Sequence, residues 1–451
     1  MSMDATRITR RGLLKRAAGL VAAPYVVSAA ALGKGGTVAA SERITLGFIG
    51  VGIMGHGHVR VCSHHGDAQI LAVCDVDRWR RESAKAIVEQ SYAAQPSRRG
   101  TGGCRAYNDL RDLLARDDID AVLIATGDRW HALATILAAK AGKDIYCEKP
   151  VSLTVREGRA MERAVRRHDC VFQSGLQQRT TGEFRKACRL VASGAIGKVR
   201  VVYVNFQGTC GDVGLPAEPV PDGLDWDLWL GPAPWRAYNR RFHPYGRPPH
   251  VVPWHFCRDF GGGNLTSNTV HAFDVVQWGL DADDSGPVEV IPPAAGRYPV
   301  LTYRYAGGTL LQVVGPYLDA SKVSVPAGWD VRTRLSNFGA VFVGEGGWIH
   351  VGRGGLLKSF PEEIVRGPVG GRDPRGPVNN HHQNWLNCIR TRRRAACDVA
   401  VGRRSTAVAH LGCIAHWTAR TLTWDPVGET FGADDEANRW LSRPMREPWR
   451  L

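Results

Sequence analysis

The sequence predicts an α/β protein in two parts: a doubly wound parallel sheet at the front, then an α+β domain on a mostly antiparallel open sheet. Three observations lead there. Short apolar runs of strand length alternate with helical patterns over the first third of the chain. A glycine-rich turn joins the first run to the first helix. Beyond residue 180 or so, strand-like runs follow one another with few helices between them. A chain of 451 residues also exceeds one ordinary core and suggests two domains.

Taken in order, residues 43–49 form an apolar run that stops at Gly50, as a strand buried on both faces should. Runs of the same kind stand at 69–74, 121–125, 144–147 and 170–173, separated by helical patterns at 56–63, 78–90, 108–115, 131–141 and 154–168. The polar, glycine-rich stretch 93–103 reads as a loop insertion. A helix at 182–193 opens the second part, with strands expected at 199–207, 300–305, 309–315, 340–344 and 348–351. Long Gly- and Pro-rich loops at 208–253 and 358–377 interrupt them; loops of that length serve binding or are disordered. Helices at 381–393 and 402–419 close the chain.

The N-terminus reads as an address. Thr9-Arg10-Arg11-Gly12-Leu13-Leu14-Lys15 sets paired arginines before an alanine-rich apolar run ending in Ser28-Ala29-Ala30-Ala31. Residues 1–31 are therefore expected to be a twin-arginine signal peptide, and the mature protein periplasmic or otherwise exported. After the first forty positions no uncharged apolar stretch reaches the roughly 18 residues a membrane helix needs, so the mature form should not engage a membrane. The formal charge is +15, but bases cluster only at Arg390 and Arg392-Arg393-Arg394, without interleaved aromatics, which argues against nucleic acid as a partner. The 11 cysteines include no C-x-x-C pair and read as small core residues. His64-His65 and His381-His382 lack ligand spacing, so no metal is expected.

Gly50-Val51-Gly52-Ile53-Met54-Gly55 follows a strand and opens a helix. In such a turn the first glycine permits the sharp bend, the second lets a pyrophosphate approach the backbone, and the third lets helix and strand pack closely; the helix N-terminus faces the phosphates. Twenty residues after Gly55, Asp75 ends the second run, where a carboxylate accepts hydrogen bonds from adenosine ribose hydroxyls. It would also repel a 2′-phosphate, so NAD is expected, with NADP as the alternative because Arg78 and Arg80 follow. Cys147-Glu148-Lys149-Pro150 ends the run 144–147, where ligands of open α/β sheets collect.

With these segments, Ala125-Thr126 and His131, Gly175-Leu176-Gln177-Gln178-Arg179, and Gly261-Gly262-Gly263 followed by His271 and Asp274 resemble the Gfo/Idh/MocA family of glucose-fructose oxidoreductases, inositol 2-dehydrogenases and rhizopine-catabolism proteins. The likeness runs from residue 43 to the C-terminus. Segments 227–234 and 274–278 further resemble the family's exported bacterial branch, whose members often carry twin-arginine leaders. The resemblance implies a Rossmann domain at 42–175 and a substrate-binding, dimerising domain at 176–451, with a homo-oligomer formed through the second sheet. It implies an NAD(P)-dependent oxidoreductase acting on a sugar or polyol CH–OH group. Gly50, Gly52, Ile53, Met54, Gly55, Asp75, Thr126, His131, Glu148, Lys149 and Gln177 would hold the cofactor; Arg179, Trp254, Ser267, Asn268 and Asp274 would meet substrate. Lys149 would bind the reacting oxygen and stabilise alkoxide, Glu148 would lie near the nicotinamide ribose, and His271 would be the general base.

One position departs from the family pattern. Many members carry an acid four residues before that histidine, and here Ser267 cannot supply the charge that would raise the basicity of His271. Trp226, Trp229, Trp235 and Trp254 suit sugar faces or core packing equally, and Arg240, Arg241, His243 and His255 suit a polar ligand or a solvated loop. Export adds a constraint: away from the cytoplasmic nicotinamide pool, a reduced cofactor must be reoxidised in place. Three readings follow: an oxidoreductase whose tightly held NAD is recycled between two sugars, a redox-neutral glycoside-cleaving or epimerising enzyme, and a non-catalytic protein that keeps the cofactor.

Overall fold

The computed structural model describes residues 38–95, 98, 103–205, 208–246, 253–367 and 380–451. The signal peptide expected at 1–31 lies outside them.

Strands β1 (Ile44–Ile49), β2 (Ala68–Cys74), β3 (Arg105–Tyr107), β4 (Ala121–Ile124), β5 (Asp144–Cys147) and β6 (Phe172–Ser174) form one parallel sheet in the order β3-β2-β1-β4-β5-β6. The chain enters at the centre, winds outward to β3, then returns across β1 to lay down β4 to β6. The reversal opens a crevice beyond the carboxyl ends of β1 and β4. Apolar side chains on both faces of these strands meet two separate clusters of helix residues, which is why the strands read as unbroken hydrophobic runs. Helix Val155–Arg167 starts where the Thr154 side chain caps the amide of Glu157 and Glu157 caps back, so its expected start holds within one residue.

The second domain is an eight-stranded sheet in the order β13-β12-β11-β7-β10-β9-β8-β14. Its strands are β7 (Val199–Asn205), β8 (Pro287–Ile291), β9 (Leu301–Tyr305), β10 (Leu310–Val314), β11 (Ala340–Gly344), β12 (Gly347–Gly352), β13 (Leu356–Phe360) and β14 (Leu422–Thr423). Only β7 and β10 run parallel, so the expected antiparallel character holds. Helices Gly182–Ala192, Val270–Gly279 and Val399–Thr418 share its largest apolar core.

Three expectations need correction. The stretch 358–377 is not loop from its start, because residues 358–360 complete β13, paired with β12, and a short helix follows at Glu363–Arg366. The described part of the 208–253 loop is packed around an apolar cluster containing Trp226, Trp229, Tyr238 and Phe242, with a helical turn at Trp226–Leu230. Finally, residues after 176 do not all serve the second domain: helix His381–Thr391 returns to the first and buries Trp385 completely in its core. All 11 cysteines are free and buried, as small core residues should be. Among the described residues no helix is long and apolar enough to cross a membrane.

Candidate functional site

A cavity of about 380 Å³ lies along the carboxyl ends of β1, β2, β4 and β5, with Asp75 and Arg80 beyond β2 and Glu148 and Lys149 beyond β5. The three glycines divide their work as the motif requires. Gly50 holds φ +83°, and a Cβ there would come 2.6 Å from the Thr126 amide nitrogen. A Cβ on Gly55 would meet the Gly50 carbonyl at 2.2 Å, so the helix can approach the strand only without one. A Cβ on Gly52 would meet nothing nearer than the Arg80 guanidinium at 3.6 Å, which leaves the helix N-terminus open to a phosphate. Ile53 and Met54, in the first turn, are 41% and 48% exposed, apolar surface that a bound dinucleotide would cover.

Asp75 is buried, and its carboxylate accepts from the amides of Val51 at 2.8 Å and Asp77 at 3.0 Å, tying the end of β2 to the glycine turn. With two lone-pair sites per oxygen it keeps capacity for ribose hydroxyls. Open backbone, exposed first turn and carboxylate together fit NAD.

Beyond β5, Glu148 is held on every side. His58 Nε2 donates to Oε1 at 3.0 Å and Gln177 Nε2 at 3.2 Å, while the Lys149 amide donates to Oε2 at 3.2 Å. Burial opposes the charge, but the hydrogen bond from His58 and the charge of Lys149 carry the carboxyl well below its ordinary value. His58 in turn meets His382 at 2.8 Å. The Lys149 ammonium lies in the cavity wall and donates to the Ser267 carbonyl oxygen at 2.6 Å. Ser267 sits in a π-helical turn, Leu265–Thr269, that runs straight into helix Val270–Gly279, and Asn268 from the same turn reaches the wall. Trp254, His255 and Thr126 are also wall residues.

His271 is brought close to this group but stands behind the cavity wall, ring-edge to Phe338. Arginine is only a donor, so the Gln178 amide must present its oxygen to Arg353, accepting from Nη2 at 2.9 Å and Nε at 3.0 Å. Its nitrogen then donates to His271 Nδ1 at 2.9 Å. A neutral His271 therefore carries its proton on Nε2. Burial first, then the charges of Lys149 and Arg353, push its pKa well below the ordinary histidine value. In this arrangement Nδ1 of the expected base is already engaged by Gln178.

Other expected contacts are also reassigned. Arg179 and Asp274 are fully enclosed: the guanidinium bonds both oxygens of Asp274 at 2.9 Å and reaches Asp283 at 2.6 Å, while Ser405 donates to Asp274 at 2.8 Å. Their polar groups are engaged inside the protein, outside the cavity wall. His131 does line the cavity, and with Nδ1 at 2.6 Å from the Pro150 carbonyl and Nε2 at 3.1 Å from that of Thr126 it links two loops that flank it. Gln177 acts through Glu148 and the Tyr146 hydroxyl. Of the tryptophans, Trp226 and Trp229 stack on each other at 4.3 Å within the loop's apolar cluster, Trp229 also reaching the cavity wall, and Trp235 is 70% exposed.

Two wall residues escaped sequence reasoning. Asp128 and Arg129 open helix Asp128–Lys140; Asp128 Oδ2 and Arg129 Nη1 are buried without a hydrogen-bond partner. Arg129 spends Nε on the Trp229 carbonyl at 2.8 Å and lies 3.6 Å above the Trp229 ring. Burial pushes the Asp128 carboxyl up to about 7 against the pull of Lys149 and Arg129. Among the described residues no group of histidine, cysteine and carboxylate side chains could hold a metal.

The sequence matches two family models. Residues 44–176 match the oxidoreductase family's NAD-binding Rossmann fold, and residues 183–327 with 371–451 match the C-terminal alpha/beta domain of the same Gfo/Idh/MocA oxidoreductases. Myo-inositol 2-dehydrogenase of Thermotoga maritima is 29% identical over 183 residues, 40% of this chain and 47% of that protein. A glycosyl hydrolase family 109 protein of Shewanella pealeana is 39% identical over 116 residues, 26% of this chain and 25% of that protein. The chain thus spans about half, or less, of the length of the curated relatives it matches. In fold it is similar to aldose-aldose oxidoreductase from Caulobacter crescentus in complex with glycerol, with TM-score 0.52 and 17% identity, covering 84% of this chain and 99% of that one.

Proposed function

The chain belongs to the Gfo/Idh/MocA oxidoreductase family, and from that premise we propose that it oxidises a CH–OH group of a sugar or polyol with NAD held in the cavity. The observation that carries this reading is Lys149: a cation in the cavity wall, fixed by the Ser267 carbonyl, beside a firmly ionised Glu148 and on the same strand ends as Asp75. Bound NAD supplies a hydride acceptor. Lys149 holds the reacting oxygen and stabilises the charge that develops there. Asp128, whose proton is free to leave near neutrality, takes the hydroxyl proton as the hydride departs.

The twin-arginine leader would carry the folded protein out with NAD already aboard, so the hydride must be returned to a second sugar in the same site. Retention and recycling of the cofactor belong to this proposal. So does a homo-oligomer joined through the second sheet, which light scattering on the purified protein tests.

A redox-neutral variant is the second reading, favoured by the likeness to the family 109 glycosyl hydrolase and by serine at position 267. Here one sugar carbon would pass a hydride to bound NAD, and the neighbouring C–H would lose its proton and expel the aglycone as its alcohol. Water would add to the resulting double bond, and the hydride would go back to the carbon it left. Incubation with free sugars and with aryl glycosides, following nicotinamide absorbance and products together, separates the two. Oxidation of one sugar with reduction of another supports the first; cleavage without net reduction selects the second; no change in either overturns both.

A further inference from the structure

Residues 208–246 leave the second domain and cross the adenosine end of the cavity, and their attachments there form a connected set. Asp77 caps helix Arg78–Ala93 with one oxygen, accepting from the Arg80 amide at 3.2 Å. Its other oxygen accepts from His243 Nε2 at 3.1 Å and from the Gly246 amide at 3.0 Å. Arg80 donates back to the same segment, from Nε to the Gly246 carbonyl at 3.2 Å and from Nη2 to that of Pro244 at 3.0 Å. Further along, the Arg78 amide donates to Gly223 O at 2.9 Å, the Asp225 amide to Val76 O at 3.0 Å, and Asn108 Nδ2 to the Asp225 carboxylate at 2.9 Å.

His243 is itself oriented. The Trp229 indole N–H donates to its Nδ1 at 2.8 Å, so the neutral ring carries its proton on Nε2 and turns it to Asp77. Trp229 and His243 are both in the wall of the same cavity as Gly52 and Asp75. Arg80, clamped by the segment, is the group nearest the open side of Gly52. A dinucleotide laid from Gly52 to Asp75 would therefore lie between the first domain and this crossing segment.

We propose that Trp229, His243 and the 223–246 stretch are the outer half of the adenosine-binding site, fastened through Asp77 and Arg80, so that bound NAD leaves only when this strap lifts. The inference rests on the retained-cofactor reading above and names the residues that would cause retention. Asp77 is buried, so each donor it loses leaves an acceptor without water to replace it.

The test uses the full-length protein loaded with isotopically labelled NAD and chased with excess unlabelled NAD. Asp77→Asn is the informative variant: the amide oxygen keeps the helix cap, while its nitrogen faces the N–H groups of His243 and Gly246, two donors with nothing to accept them. Wild type is expected to hold NAD through the chase, and Asp77→Asn to release it roughly ten- to a hundredfold faster. Trp235→Ala, on exposed surface, should behave as wild type. Exchange by wild type within the mixing time overturns both retention and strap. Slow exchange by wild type with equally slow exchange by Asp77→Asn overturns the strap alone. Should the melting profile show Asp77→Asn misfolded, Arg80→Met, which removes the two bonds to Pro244 and Gly246, gives the same measurement with the same expected acceleration.

Discussion

The ammonium of Lys149 rests 2.6 Å from the main-chain oxygen of Ser267, so the lysine at the end of β5 is aimed by the turn that leads into His271. The contact uses no side-chain atom of Ser267. Ser267→Ala should therefore leave kcat within about threefold, since the bond to Lys149 survives. Ser267→Asp places a carboxylate beside Lys149. Preserved or raised dehydrogenase turnover would mean the ordinary family mechanism tolerates it, whereas loss on the true substrate would favour the redox-neutral reading.

Lys149→Ala should lower kcat by on the order of 10² or more while NAD affinity changes little, because the lost charge acts on the developing alkoxide. Stopped-flow hydride transfer and NAD titration check the two halves separately. A variant that loses NAD binding and keeps kcat would move Lys149 from the reacting centre to the cofactor.

The proposed proton acceptor makes a signed pH prediction. Asp128 is raised to about 7 by burial, so it is protonated below that pH and ready to accept a proton above it. Sugar oxidation should fall as pH drops through about 7. Asp128→Asn should remove that limb and lower the plateau; an unchanged profile would exclude this residue.

Arg179 belongs to stability rather than substrate. With the buried Asp274 carboxylate deprived of its cation, Arg179→Ala should cost about 3–5 kcal/mol, measured by denaturant unfolding. A change in substrate KM with unchanged stability would return it to the site.

The proposed export signal gives a cellular prediction. Replacing Arg10 and Arg11 together by lysine should keep the folded, NAD-loaded protein in the cytoplasm with its activity intact. Unchanged export on fractionation would mean another route.

Features encoded by neighbours in the chain were legible beforehand. Gly50, Gly52, Gly55 and Asp75 do their work within one strand–turn–helix–strand unit, and the apolar runs of β1, β2, β4 and β5 announce burial on both faces. What depended on distant partners was not. Helix Val270–Gly279 is buried nearly all round and so shows no periodic stripe. Strand β3 has no apolar run, β8 opens on a proline, and β14 is two residues long. The tautomer of His271 is set by Gln178 and by Arg353, just past β12, a pairing no local pattern reveals. Asp128 drew no notice because an acid at a helix start is ordinary; its enclosure beside Lys149 is not.

The return of helix His381–Thr391 to the first domain has a consequence for synthesis. Trp385, Leu386 and Ile389 fill the core beneath β1 and β2, so that core stays open until helix His381–Thr391 has been made. A nascent chain carrying every NAD-binding motif still presents a greasy vacancy, and a truncated one never closes it. Closure of the first domain thereby waits on a helix made long after the sheet it completes, so the two domains cannot mature one after the other.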